Sequence, residues 1–291
     1  MEENNDKKLF SEKDKKLRHT AVFVWWRVCF AVSFLICFFI VDLRSPLLHR
    51  LPKLLLFSFL GSVLLVLLLF FIVFPLTNRT RKPYTALLKK IRNEGMTAEC
   101  LQETEAMYEK CRQSSLDNDY SQQLGYILAN HYTMTGDYEK AHNYIDALDM
   151  SICRDYINIP TYQARALKYH ALRIILEAAD GGSTFAETAY TQAKPYFEQY
   201  GGLSRENGFW AAIGTAEYLL SCGKPEEAAK MIEPYLEYTE SKTDVFLTLA
   251  KAAKATGDTE KAKEYIDAAY EAAEFTYAKN VVDMVKKRLK T

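Results

Sequence analysis

Leu128–Leu148 reads LANHYTMTGDYEKAHNYIDAL. Apolar residues recur at helical intervals on both sides of Gly136-Asp137, which predicts two amphipathic helices folded back through a tight turn. Looser copies of this pattern run to the C-terminus. Gly223 and Gly257 stand 34 residues apart, as do Ala228 and Ala262, and Gly136 with Ala141 keeps the same five-residue offset. Small residues fall at facing positions in each copy: Ala129/Ala141, Ala216/Ala228 and Ala250/Ala262. Two helices can approach closely there, and a glycine between them suits the left-handed conformation that ends a helix sharply.

Outward from this stretch the text from Lys82 on is helical, rich in Glu, Lys, Ala, Leu, Tyr and Gln, with isolated Gly or Pro as punctuation. Helices are expected near Tyr84–Asn93, Thr97–Gln113, Asp119–Thr135, Tyr138–Leu148, Pro160–Ala179, Phe185–Tyr200, Glu206–Cys222, Pro225–Glu237, Asp244–Thr256, Thr259–Phe275 and Tyr277–Leu289. No alternating β-branched run is long enough to argue for a strand. Helices this short are marginal alone, so their stability must come from packing on neighbours.

The 34-residue period of helical hairpins resembles the tetratricopeptide-repeat (TPR) family over roughly Tyr84–Leu289. The resemblance is carried by Leu128, Ala129, Tyr132, Gly136, Ala141 and Ile145. It recurs in Ala216, Leu219, Gly223, Ala228 and Ile232, and in Leu249, Ala250, Ala253, Gly257, Ala262 and Ile266. A further unit with a longer turn is read from Ala171 and Ile174, Gly181-Gly182 and Ala186-Tyr190, with Ala189 as an equal choice of register. Thr97–Gln113 reads as the second half of a degenerate first unit. The family's closing proline is replaced by Cys153, Glu240 and Glu274, and its early tryptophan by Gly125, Ala212 and Phe246. The expected fold is all-α: two transmembrane helices followed by a TPR-like α-solenoid of helical hairpins.

The family resemblance implies that the first helix of each pair lines a concave groove able to hold an extended peptide or a helix. Carried over by register, the candidate peptide-binding residues are Tyr126 and Asn130, then Trp210, Ile213 and Glu217, then Leu247 and Lys251, with Gln123 and Asp244 beside them. The basic/asparagine clamp with which relatives hold a terminal carboxylate is not reproduced, since only Asn130 and Lys251 suit it. Tyr277–Leu289 carries Val281, Met284, Val285 and Leu289 on one stripe and Lys286, Lys287 and Arg288 opposite. A terminal helix with one polar face caps a solenoid's exposed core; contact of the basic face with a membrane surface is the alternative.

Two apolar runs precede the array. Ala21–Val41 and Leu54–Leu76 have the length a bilayer core demands, about 20 residues at 1.5 Å each. Arg27 interrupts the first, beside Trp25 and Trp26; it can snorkel to the headgroups, or serve as a functional buried charge. The turn Asp42–Lys53 contains Pro46 and Pro52. Lys7, Lys8, Lys13, Lys15, Lys16 and Arg18 flank one side, and Arg79, Arg81, Lys82, Lys89, Lys90 and Arg92 the other, against Arg44, Arg50 and Lys53 in the turn. The positive-inside bias therefore predicts a multi-pass protein of a cell (inner) membrane with both termini cytoplasmic. The expected organisation is an N-terminal arm (1–20), a transmembrane hairpin (21–76, spans 21–41 and 54–76), a basic juxtamembrane linker (77–83) and a helical repeat domain (84–291). Asn78-Arg79-Thr80 matches a glycosylation sequon on the inner side and is read as chance.

Charge and chemistry narrow the function. The chain is formally neutral, but residues 93–291 alone carry a net charge of −10, which argues against binding a nucleic-acid backbone. The six cysteines show no CxxC spacing and read as buried small hydrophobes. The five histidines form no HExxH; His131 and His142 lie on successive helices of one hairpin and read as packing residues. Gly181-Gly182 and Gly201-Gly202 are helix stops and lack the GxxxxGK[ST] arrangement. No catalytic, cofactor-binding or metal-binding set is expected. The expected function is a membrane-anchored scaffold that positions partner proteins at the cytoplasmic face; the alternative is a structural or regulatory subunit held in a membrane complex through its transmembrane hairpin.

Overall fold

A computed structural model describes residues 60–61, 63–64, 67, 80–113, 118–155, 157–237 and 242–290. The chain divides into two compact units, Met1–Lys82 and Pro83–Thr291. In the first unit the N-terminal arm, the span 21–41 and most of the span 54–76 and of the linker lie outside the described residues. Residues 60, 61, 63, 64 and 67 are helical, with Leu60, Val63, Leu64 and Leu67 exposed, and residues 80–82 are helical too. Among the described residues no helix is long and apolar enough to cross a membrane.

The second unit is all-helical among its described residues, and its helices are arranged as hairpins. Helix α1 covers residues 83–94 and α2 Ala98–Arg112, followed by α3 (Asn118–Thr135), α4 (Tyr138–Asp146) and α5 (Met150–Asp155). Next come α6 (160–181) and α7 (183–200), then α8 (Arg205–Ser221), α9 (Pro225–Ile232), α10 (Lys242–Ala255), α11 (Thr259–Ala272) and α12 (Thr276–Leu289). Capping follows side-chain chemistry. Thr97, Asp137, Ser204 and Asp258 each accept a backbone N–H three residues on, at 3.0–3.3 Å, satisfying a donor the first helical turn leaves open.

Three hairpins share one turn. Gly136, Gly223 and Gly257 take φ of 85°, 71° and 84°, which a side chain resists. The next residue's N–H then reaches back five positions: Asp137 to Tyr132 O (3.0 Å), Lys224 to Leu219 O (2.9 Å) and Asp258 to Ala253 O (2.9 Å). That six-to-one bond satisfies a carbonyl the helix end would orphan. Ala141, Ala228 and Ala262 then donate to the carbonyls of Asp137, Lys224 and Asp258 at 3.0–3.1 Å. Ala129, Ala141, Ala216, Ala228, Ala250 and Ala262 are all fully buried. A larger side chain at any of them would push the paired helices apart.

The hairpin at Gly181-Gly182 differs from expectation. The long turn read at Gly181-Gly182 is a break at one residue, Gly182 (φ 70°, ψ −155°), with helix resuming at once. Leu167 and Ile174 pack with Ala189, Ala193 and Phe197. Leu167 and Phe197 would stand about 45 Å apart along a straight helix, so α6 and α7 fold back on each other. Both register choices are buried, Ala186 fully and Ala189 nearly so.

Other boundaries shift for local reasons. The six-residue α5 is absent from the expected helices because it is too short to show a period; Asp149 Oδ1 accepts from Ser151 N at its start. Helix α9 stops at Ile232, and Pro234 lies in a 3-10 turn, Glu233–Tyr235. Helix α11 stops at Ala272, because Ala273 and Phe275 are extended. Among the described cysteines, Cys100, Cys111 and Cys153 are buried as expected; Cys222 is exposed.

Candidate functional site

The first helices of four hairpins and the terminal helix α12 form a closed circuit: α3 packs on α6, α6 on α8, α8 on α10, α10 on α12, and α12 returns to α3. Side chains from these five helices meet across its inner side. Register explains the meeting. Asn130, Glu217 and Lys251 each precede a turn glycine by six residues; Gln123, Trp210 and Asp244 each precede one by thirteen.

At the α3–α6 junction Tyr126 stacks on Tyr169, ring centroids 5.5 Å apart. Lys168 Nζ lies over two aromatic faces, 4.6 Å from the Tyr126 centroid and 5.0 Å from that of Trp210. The ring quadrupoles favour a cation there. Trp210 also meets Phe209 edge-on at 5.0 Å. Lys168 thus joins α3, α6 and α8 through the two aromatic residues that the sequence singled out. The sequence reading had missed it, because its hairpin lacks the regular turn from which to count.

At the α8–α10 junction Lys251 Nζ donates to Glu217 Oε1 at 2.5 Å. The two residues occupy the same register position of successive hairpins, 34 residues apart. Glu217 is buried and Lys251 half-buried, so the pair is shielded from solvent. Asp244, about two turns before Lys251, has its carboxyl pushed up by burial, against the pull of Lys168 and Lys251 and with a further push from Glu217. Burial also raises the Tyr126 phenol well above its ordinary value, with Asp244, Tyr277 and Tyr169 adding to the rise.

At the α12–α3 junction Asn130 Nδ2 donates to Tyr277 Oη at 3.3 Å. Burial raises the Tyr277 phenol; the Asn130 hydrogen bond lowers it and Asp244 raises it further. Arg288 Nη2 donates to Thr133 O at 2.7 Å, placing a cation at the carbonyl end of α3. Arg288 is thereby engaged within the unit, whereas the sequence placed it on a free basic face.

The candidate residues therefore divide. Tyr126, Asn130, Trp210, Glu217 and Lys251 face the common interior, joined by Asp244, Lys168 and Tyr277. Ile213 is buried in packing with Ala171, Phe209, Val245 and Leu249. Leu247 is covered by Val281, Val282 and Val285 of α12. Gln123 accepts a hydrogen bond from Tyr84 Oη and so turns toward α1. Helix α12 does more than cap the last hairpin, since it also crosses to α3.

Elsewhere, His131 and His142 are not brought together in a site. His142 Nε2 lies 3.0 Å from Asp180 Oδ2 on α6, and His131 meets the Tyr132 ring at 5.6 Å. No group of three His, Cys, Asp or Glu residues that could hold a metal ion occurs among the described residues. An open groove of about 530 Å³ between α1 and α2 is lined by Leu87, Ala106 and Met107, with Lys90 and Glu103 ion-paired at 2.7 Å on its edge. No family model, no curated protein and no solved structure matches this chain.

Proposed function

We propose that the chain is a membrane-anchored TPR-like scaffold whose repeat domain binds partner proteins at the cytoplasmic face, without catalysis. The observation that carries this reading is the shared turn of Gly136, Gly223 and Gly257, with its common five-back hydrogen bond and fully buried alanine pairs. Repetition of one packing unit builds an extended face rather than a reaction centre. The apolar runs at 21–41 and 54–76, with their basic flanks, supply the anchor and the orientation. Tyr126 and Trp210 supply aromatic surface of the kind that anchors partners.

The second reading, a structural or regulatory subunit held through its transmembrane hairpin, is favoured by one observation. The inner polar groups answer one another, Lys251 with Glu217 and Asn130 with Tyr277, so that face already has partners within the chain.

Photo-crosslinking of the full chain in native membranes separates the two. A photoreactive residue in place of Trp210 is expected to capture the same partner as the unsubstituted chain co-purifies. Capture that ignores position 210 and ends when residues 21–76 are exchanged for an unrelated two-span hairpin would overturn the scaffold reading in favour of the second.

A further inference from the structure

The circuit of helices closes where α12 meets α3. Helices α3 and α12 are about 150 residues apart in sequence. Their seam carries two polar contacts, Asn130 with Tyr277 and Arg288 with the Thr133 carbonyl, and Tyr277 also packs against the apolar cluster to which α3 contributes. Met134 adds one apolar contact to the cluster under α12. The packing of α12 on the last hairpin is instead dry, with Val281, Val282 and Val285 clustered with Leu247 and Ala250 of α10 and Ile266 and Ala269 of α11. Helix α12 hangs from three non-helical residues, 273–275, two of them extended.

A second contact belongs to the same closure. The Arg92 guanidinium lies 3.4 Å over the Phe275 ring, and Asn280 sits where a side chain on Gly95 would be. The start of α12 is thus held by the end of α1, and its last turn by the end of α3. Thr133 O is one of the carbonyls that the last turn of α3 leaves without an intrahelical donor. A guanidinium there gains a charge-assisted hydrogen bond and the favourable end of the helix dipole.

We propose that α12 is a self-ligand of α3: a latch that keeps the inner face closed and marks the seat where a partner helix docks. The partner is an amphipathic helix with a phenol at its start and an arginine eleven residues on, the spacing of Tyr277 and Arg288. Its apolar stripe replaces that of α12, and its arginine takes the Thr133 carbonyl. This rests on the reading of the inner face as the binding face.

The test uses the full chain in detergent micelles and a fluorescent synthetic peptide of residues 274–291. In the unmodified chain the tethered helix outcompetes the free one, since tethering supplies an effective concentration of millimolar order. Arg288→Ala weakens the latch alone and leaves the valine stripe in place. It is expected to raise affinity for the peptide by about tenfold or more, the scale of one charge-assisted hydrogen bond. A peptide carrying the same Arg288→Ala change is expected to lose that gain. Tyr277→Phe in the chain, which removes the other polar contact from the latch alone, should act in the same direction. Hydrogen exchange provides an independent readout: α12 should exchange faster in Arg288→Ala than in the unmodified chain, while α10 is unchanged. Peptide binding that is indifferent to Arg288 in both chain and peptide would overturn the proposal, as would protection of α12 equal to that of α10 in both chains. Crosslinking of a partner at position 210 together with either negative result would reject the latch and keep the scaffold reading.

Discussion

Replacing Lys251 by methionine tests whether the inner charges hold the array together. Nζ and Oε1 stand 2.5 Å apart, and Glu217 is only 8% exposed. At an effective dielectric of about 20, 332/(20 × 2.5) gives a gross attraction of about 7 kcal/mol. Most of this is offset by the cost of taking both charges out of water. Loss of one partner leaves the other charge buried, which typically costs about 3–5 kcal/mol. Lys251 is half-buried, so its side of the pair is partly hydrated and the lower end applies. Lys251→Met is therefore expected to cost about 3 kcal/mol, because Glu217 is left beside the Asp244 carboxyl. Glu217→Met should cost less, about 1–2 kcal/mol, because a freed lysine can turn its ammonium to water. The double substitution should cost about 1 kcal/mol, since an apolar pair of similar volume replaces a buried ion pair at little loss. The double-mutant cycle then yields a coupling of about 3 kcal/mol. Urea unfolding of the full chain in detergent, followed by circular dichroism, measures each value. A coupling below about 0.5 kcal/mol would show that the pair acts as an exposed one and would refute the shielded inner face.

Gly257→Ala should cost about 1–2 kcal/mol in the same assay, and Gly223→Ala the same, because an added Cβ meets nothing within 4 Å at either site and only the left-handed backbone resists. Gly214→Ala should destabilise for the opposite reason: its new Cβ would lie 2.7 Å from the Phe197 ring, which outweighs alanine's helix preference. His170, whose Nε2 has no hydrogen-bond partner among the described residues, is held down to about 4 by burial and then by Arg173. Its neutral form is favoured by folding, so its contribution is full above the ordinary histidine value of about 6.5 and is lost as pH falls toward 4. Melting temperatures at several pH values should show a loss approaching about 3 kcal/mol over that window, and His170→Gln should flatten it. Asp244 has the opposite sign: its raised carboxyl favours the folded chain below the ordinary aspartate range, and that advantage is lost as pH rises through the raised value. Asp244→Asn should therefore raise the melting temperature at pH 7, and a fall would show that the carboxylate is stabilised by Lys168 and Lys251 after all.

What the sequence made legible is what a 34-residue period can carry. Once Gly223 and Gly257 set the register, Glu217 and Lys251 had to occupy equivalent positions, and neighbouring hairpins had to bring them side by side. The buried alanines followed from the same counting. The closure of α12 on α3 lay beyond it, because Tyr277 and Asn130 are 147 residues apart and no local pattern couples them. Its geometry depends on how much each hairpin rotates against the last, a quantity set by side-chain volumes at every junction rather than by any one motif. Lys168 was hidden for a related reason: its hairpin turns at the single residue Gly182, whereas the other three leave two or three residues between their helices, so register cannot be carried across it. The Tyr126 and Trp210 rings are then the informative pair. They were chosen from sequence as anchors for a partner, and the structure places the chain's own lysine between them. An aromatic pair already holding a cation has no seat for a second one, so a partner that reaches this face must contribute apolar or hydroxyl contacts, as Tyr277 does.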